Sequence, residues 1–425
     1  MEKIILLFGQ DEPVKAAVKN NFYVINILTE LQTKDDEYFE AVKLSHELKI
    51  ISSESEILDT VEKIKNENTI KGIFSFTDTR DGVQLAAELS EKFLNGNCYK
   101  SVLSKDVEIL NNKIRTRQYI DSIGIANIPY IFSENKNKLA EFLNDNNKII
   151  MKPFNGQGSL DVYLIENKSE INTFDTNSKW LGEKFIIGQE YSVEGIFVDG
   201  HHYILGITQK TKIGLNDNGH NQFVELAHEF PADISNHEAN LISKYIYDFY
   251  QNIEAMNVIT HTEVILGEDK DVYLVEGHFR PGGDAITKLI LSSYELDIFD
   301  LFFRSFLEPQ EVKKKIASRK LLYRSAIKYF IPKQTGKVDN IFFKFELDDK
   351  LLKNLDAIYI NYLNNMNNLA GEDKELIPVL ASFDRELGAV LVRVKNGTNP
   401  MTLIDSIFKK IQINFTNKNY SGDFF

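Results

Sequence analysis

From Lys3 to Gly96, short apolar runs alternate with amphipathic helical stretches, and after Ser104 that alternation stops. KIILLFG reads as a strand closed by Gly9, and VKAAVKN starts a helix. FYVINIL and KGIFSFT are further strands, and SEILDTVEKIKNE and DGVQLAAELSEKFL are helices, the last ending at Asn95-Gly96. Strands joined through helices pair in parallel, so residues 1–104 are expected to form a small parallel sheet covered by helices. No nucleotide signature accompanies it. Neither G-x-G-x-x-G nor G-x-x-x-x-G-K-[ST] occurs there.

Beyond Ser104, NNKIRTRQYIDSIG is an amphipathic helix stopped by Gly124, and NKIIMKPFNGQGSLDVYLI reads as two strands around a glycine-containing turn. EKFIIGQEYSVEGIFVDGHHYILGITQKT is a set of antiparallel strands with Gly and Asp-Gly turns, followed by a polar loop to about His220. SKYIYDFYQNIEAM reads as a helix and VITHTEVILGEDKDVYLVEGHF as a hairpin. After Pro309 an α+β segment carries strands at KVDNIFFKF and AVLVRVK and a helix at MTLIDSIFKKI. A chain of 425 residues exceeds one ordinary core. The pattern divides it into modules at 1–104, 105–305 and 306–425.

A net charge of -13 disfavours binding to a phosphate backbone, so no nucleic-acid partner is expected. A single cysteine, Cys98, excludes an intramolecular disulfide framework and a Cys-based zinc cluster, and fits a reducing, cytoplasmic setting. The apolar run in MEKIILLFGQDEP is too short for a signal segment, and no run approaches the roughly 18 residues of a membrane span. Neither export nor a membrane segment is expected.

The hairpin carries the first chemical signal. With Gly267 opposite Val272, Glu263 faces Glu276 and His261 faces His278, at the roughly 4.5–5.5 Å Cβ separation of cross-strand pairs. Two facing carboxylates repel unless a cation lies between them, and with Arg280 just beyond they suit Mg²⁺ on nucleotide phosphates. The plainer alternative is two solvated strand carboxylates. In MKPFNGQGSLDV, Lys152 ends a strand before Gly156 and Gly158, where backbone N–H groups can approach an anion, although such turns are common in hairpins. In EKFIIGQEYSVEG, Glu190 follows Glu183 across a Gly188 turn, which alone describes a charged edge strand. Order adds weight. Lys113, Lys152, Glu183-Lys184-Phe185-Ile186, Glu190, Glu263, Glu276 and Arg280 follow one another in that sequence.

This ordered set resembles the ATP-grasp superfamily of carboxylate–amine ligases. The resemblance implies an ATP-grasp fold of mixed α/β and α+β character. Residues 1–104 would be a Rossmann-like domain, 105–305 the ATP-grasp domain with a glycine-loop lid at about 125–190, and 306–425 a C-terminal cap. It implies ATP and Mg²⁺, with Mn²⁺ as an alternative metal. Lys113 and Lys152 would hold phosphates under the loop of Gly156, Gly158 and Ser159. Glu183 would belong to the nucleotide site, the backbone of Lys184 and Ile186 would read the adenine edge, and Glu190 would meet the ribose. Glu263 and Glu276 would be the metal ligands, and Arg280 would be catalytic, steadying an acyl-phosphate and the tetrahedral intermediate. Within the superfamily the chain resembles the L-amino-acid ligases, which make dipeptides. Glu225 and His228 of VELAHEFPAD, with Arg280, Gly282 and Gly283 of EGHFRPGGD, would meet amino-acid substrates, one supplying a carboxylate and the other an amine. A homodimer is common among such enzymes. Many relatives have asparagine where this chain has His278, so either the metal has one ligand fewer, or His278 meets substrate, or it pairs with His261 in the sheet.

Seven of the eight histidines lie between His201 and His278, yet no helical His-x-x-x-His pair or Cys partner supports a transition-metal site. His201 and His202 read as solvated turn residues. Lys210 and Lys212 read as surface lysines, with reach to phosphate as the alternative. No Met-Lys-Met acceptor for biotin occurs.

Overall fold

The computed structural model describes residues 1–77, 81–153, 160–174, 179–216, 219–343, 355–361, 375–385, 387–409, 411–415, 421–422 and 424–425. The chain opens with β1 (Glu2–Leu7), α1 (Asp11–Lys19), β2 (Phe22–Thr29), α2 (Phe39–Leu44), β3 (Glu47–Ile51), α3 (Ile57–Glu67), β4 (Ile70–Phe74) and α4 (Gly82–Phe93). Its four strands are parallel in the order β3-β2-β1-β4, as the alternation predicts. Ile4, Ile5, Leu6 and Leu7 are wholly buried because helices cover both faces. The sequence reading lacks β3, an edge strand that buries only Ile51 and so shows little apolar patterning.

The second part begins with α5 (Ser104–Asn111) and α6 (Lys113–Ile123), which ends at Gly124 in the left-handed region as expected. A small antiparallel sheet follows, built from β5 (Tyr130–Ser133), β6 (Ile149–Pro153), β7 (Tyr163–Ile165) and β8 (Trp180–Lys184) in the order β5-β8-β6-β7. With α7 (Lys136–Asn146) and α8 (Lys168–Ile171) it closes a separate core around Leu139, Ile149, Met151 and Ile165. Gly156, Gly158 and Ser159 lie outside the described residues.

Most of the site stands on an eight-stranded antiparallel sheet. Its strands are β9 (Gly188–Val198), β10 (His201–Lys212), β11 (Glu225–Phe230), β12 (Val258–Gly267), β13 (Val272–His278), β14 (Tyr323–Tyr329), β16 (Leu355–Asn361) and β18 (Ala389–Lys395), ordered β13-β12-β9-β10-β11-β14-β18-β16. β15 (Gly336–Phe343), β17 (Glu375–Leu376), β19 (Ile411–Phe415) and β20 (Ser421–Gly422) form a further sheet, and α13 (Pro400–Phe408) packs on β14 and β18. The central sheet thus runs from the middle of the chain into its C-terminal third. Between β11 and β12, α9 (Asn236–Tyr250) starts and ends earlier than SKYIYDFYQNIEAM implies. A reciprocal cap sets its start: Ser235 Oγ accepts from the Glu238 N–H, and the Glu238 carboxylate accepts from the Ser235 N–H, each at 3.2 Å.

α10 (Ile286–Tyr294), α11 (Ile298–Leu307) and α12 (Pro309–Ala317) join the first sheet to the central one. Phe74 and Phe76 meet Phe302 and Phe299 of α11 edge to face at centroid distances of 5.2 and 5.4 Å.

One buried guanidinium fastens the small sheet. Arg117 on α6 donates from Nε to Glu183 Oε1 on β8 and from Nη1 to the Leu274 carbonyl on β13, both at 2.7 Å. Lys152 on β6 bonds the other Glu183 oxygen at 2.7 Å. Burial resists the Glu183 charge, but Arg117 and Lys152 hold its pKa down at about 2. A depressed carboxylate stabilises the fold above its unfolded value near 4.5 and loses that effect as pH falls toward 2. Denaturant titrations of Glu183→Gln should therefore show roughly 3 kcal/mol less stability than wild type at pH 7, with the gap narrowing below pH ~4.5.

Candidate functional site

The hairpin register matches the sequence reading at the site but not at its turn. Leu266, not Gly267, lies opposite Val272, and the ladder shifts between Val264↔Leu274 and Glu263↔Glu276. Val275 is therefore an extra residue, a bulge that undoes a one-residue slip and places Glu263 opposite Glu276 and His261 opposite His278. A second bulge acts on β11. Residues three apart in a regular strand point to opposite faces, yet Lys210 pairs with His228 and Lys212 with Glu225 because Leu226 is extra. Glu225 thereby joins His228 on the face that also carries Glu190, Glu194, Lys210, His261 and Glu263.

This face floors a cleft of about 1650 Å³. Every sequence-predicted site residue that is described lines it: Lys113, Lys152, Glu183, Lys184, Ile186, Glu190, Glu225, His228, Glu263, Glu276, Arg280, Gly282 and Gly283. Ile128, Ile150, Leu160, Phe185 and Ile265 give the cleft an apolar lining suited in character to a flat base. Asp11, Glu12 and Lys15 of α1 line it as well.

Lys210 corrects the surface-lysine expectation, for it is buried at the centre of the floor. Its ammonium lies 3.2 Å from Glu190 and 2.5 Å from Glu263 and also pairs with Glu225, while Lys212 pairs with the second Glu190 oxygen. Burial disfavours the Lys210 charge, but Glu225, Glu263 and Glu190 raise its pKa well above the ordinary lysine value. The expected ribose carboxylate, Glu190, is thus held by two lysines.

Beside this cluster Glu225, His228 and Asp284 bring ligand atoms within 4.8 Å of one another. Burial and the neighbouring Asp284 push Glu225 up to about 8 against the pull of Lys210. Asp284, although partly buried, stays well below the usual carboxylate range through bonds with Glu225 and His228 and the charge of Arg385. His228 is wholly buried, and burial lowers its pKa, so the ring is neutral. Arg385 arrives from the C-terminal third, bonding Asp284 Oδ1 and Oδ2 at 2.6 and 3.1 Å, with its guanidinium 3.8 Å from the Tyr329 ring centroid. Sequence reasoning missed Asp284 and Arg385. No motif pairs residues 101 positions apart.

The two expected metal ligands differ in exposure, with Glu263 nearly buried and Glu276 half-exposed. Lys210 and His261 both bond Glu263 through Oε1, and His278 lies 3.3 Å from Glu276 Oε1. Among the described residues, the hydrogen bonds and ion pairs of both glutamates run through Oε1, and none engages Oε2. Two carboxylates facing across a strand pair, each with an oxygen still available on the cleft wall, are a donor set that fits a divalent cation shared with phosphates. His278 stacks on His261 at 6.2 Å and 14° while also reaching Glu276. His202 corrects the solvated-turn expectation: it stacks on Tyr250 at 4.4 Å and bonds Thr260, and burial lowers its pKa to about 3.

With the fold and cleft established, comparisons with known proteins give a consistent class. Residues 170–288 match the ATP-grasp domain family. The L-amino acid ligase from Bacillus licheniformis superposes with a TM-score of 0.73 at 15% identity, covering 98% of this chain and 99% of that one. Phosphoribosylglycinamide synthetase from Anaerococcus prevotii gives 0.67 at 16% identity, covering 98% and 100%. The 2-oxoglutarate carboxylase biotin carboxylase domain from Hydrogenobacter thermophilus, solved as a dimer with MgADP and bicarbonate, gives 0.64 at 14%, covering 97% and 90%. No curated protein matches the sequence significantly. The chain has the ATP-grasp fold and carries an ATP-grasp domain. Among the described residues no helix is long and apolar enough to cross a membrane.

Gly282 and Gly283 separate cleanly. A Cβ on Gly282 would sit 2.7 Å from His261 Nδ1 and 2.8 Å from Glu194 Oε1, whereas one on Gly283 meets nothing within 4 Å. In thermal melts and denaturant titrations Gly282→Ala should lose about 1–3 kcal/mol of stability, and Gly283→Ala should stay within about 0.5 kcal/mol of wild type.

Proposed function

We propose that this protein is an ATP-dependent carboxylate–amine ligase that joins two amino acids into a dipeptide through an acyl-phosphate, releasing ADP and phosphate. The carrying observation is that Glu263 and Glu276, read as facing residues from sequence, face each other on the wall of one cleft with Lys113, Lys152 and Arg280. A carboxylate resists amine attack because its carbonyl is electron-rich and its leaving oxide is poor, and phosphorylation removes both obstacles.

Lys113 and Lys152 supply positive charge for the triphosphate. Burial, then the neighbouring Lys152, lowers the pKa of Lys113, as crowding of two cations around a site for anions should do. The apolar lining together with Lys184 and Ile186 would receive the adenine, and Glu190, on the floor, the ribose. Glu263 and Glu276 would hold Mg²⁺, or Mn²⁺ in its place, which neutralises phosphate charge and aligns the γ-phosphoryl group for transfer. Arg280, on the cleft wall just after β13, would stabilise charge on the phosphorylated carboxylate and on the tetrahedral species formed with the amine. Glu225, next to neutral His228, suits the ammonium of the first amino acid, and Gly283, where a side chain would meet nothing within 4 Å, lets its backbone come close beside Gly282. Placement in the cytoplasm, assembly as a homodimer and division at residues 104 and 305 complete the reading.

The test is ADP release from Mg-ATP, screened against single amino acids and all their pairs. Release that needs two amino acids, with a product of dipeptide mass, is the expected result, and Glu276→Gln should lower that turnover by at least about a hundredfold while its thermal melt stays near wild type. ATP binding without stimulation by any amino acid would overturn the dipeptide assignment and point to another carboxylate or amine.

A further inference from the structure

We infer that Glu194 and His261 are a buried positioning pair that sets how firmly the Glu263 carboxylate holds its cation and ties that carboxylate to the Pro281-Gly282-Gly283 turn. The inference rests on the reading of Glu263 as a metal ligand. β9 and β12 pair so that Glu194 lies opposite His261 and Ser192 opposite Glu263. Glu194 is wholly buried in the middle of the sheet, where a carboxylate is costly to keep. No lysine or arginine forms an ion pair with it among the described residues. Its bonds go elsewhere: Oε1 meets His261 Nδ1, and Oε2 accepts from the Gly282 N–H at 3.1 Å.

The imidazole passes the constraint on. With Nδ1 fixed by Glu194, its Nε2 lies 3.2 Å from Glu263 Oε1, the oxygen that Lys210 also bonds. Two partners on Oε1 fix the carboxylate's rotation and leave Oε2 for a cation. Metal sites commonly orient an imidazole ligand through a carboxylate behind it. Here the order is reversed, and a carboxylate–imidazole pair orients a carboxylate ligand.

The same pair reaches the turn. Glu194 holds the Gly282 N–H, and the space a Gly282 side chain would need is filled by His261 and Glu194. Arg280 is two residues away in the same segment. A side chain at Gly282 or a loss of Glu194 would therefore disturb the metal carboxylate and the substrate turn together, although they lie on different strands. A pair kept only for packing has no need of a buried carboxylate, since an apolar residue fills the same volume at lower cost.

Calorimetric titration of the full chain with ADP, once with Mg²⁺ and once in EDTA, separates the two roles. For His261→Ala and Glu194→Ala we expect ADP affinity in Mg²⁺ to fall tenfold to a hundredfold, with metal-free affinity within about twofold of wild type. Glu194→Gln keeps an acceptor for Gly282 and should lose less than Glu194→Ala. Thermal melts of the metal-free proteins report folding, and if His261→Ala does not fold, the same split in Glu194→Gln decides. Equal losses with and without metal, or no loss in folded variants, would overturn the inference while leaving the ligase reading intact. Wild-type protein whose ADP affinity ignores Mg²⁺ would overturn the metal reading of Glu263 and this inference with it.

Discussion

The Lys210 ammonium is what allows so many acids to share one sheet face. Glu190, Glu225 and Glu263 converge on it, and without that charge their mutual repulsion in a buried setting would cost several kcal/mol. The compensation is local and incomplete. Glu225 still has its pKa raised to about 8, so near neutrality Glu225 and Asp284 share a proton rather than both standing ionised. The floor is thus poised to accept further positive charge, while Lys113 and Lys152 bring positive charge of their own to the same cleft.

Geometry at this floor depends on two irregularities as much as on the ladder. The extra residues Val275 and Leu226 each reverse the in-and-out parity of a strand next to a functional carboxylate. A uniform sheet built from the same sequence would turn Glu225 away from His228. Bulges are the usual device by which a sheet re-aims a side chain without losing its pairing.

Much of the fold was legible because its signals are local. The parallel first sheet follows from apolar runs separated by helical ones, and the β9–β10 hairpin follows from Asp199-Gly200, both of which take the left-handed conformations such a turn needs. The facing of Glu263 and Glu276 was legible as well, through a register that was wrong at Gly267 and corrected by a bulge. What stayed hidden depends on long-range packing. Lys210 reads as a surface lysine since nothing local shows three carboxylates closing around it, and His202 reads as solvated since Tyr250 lies 48 positions away. Arg385 could not be assigned to the site at all, because its partners are contributed by Asp284 and Tyr329.

The continuity of the central sheet has a consequence for how such a chain can change. β14 hydrogen-bonds to β11, whose Glu225 and His228 line the cleft, and Tyr329 on β14 carries the Arg385 that neutralises Asp284. The C-terminal third is therefore part of the wall, not a cover laid over a finished pocket. An exchange of that third with a related protein would transplant part of the cleft wall along with it, and a duplication or fusion that broke the β11–β14 seam would leave an open strand edge beside Glu225 and its Lys210 partner. The shape and charge of the cleft can accordingly vary through residues far along the chain from the 170–288 segment that matches the ATP-grasp domain.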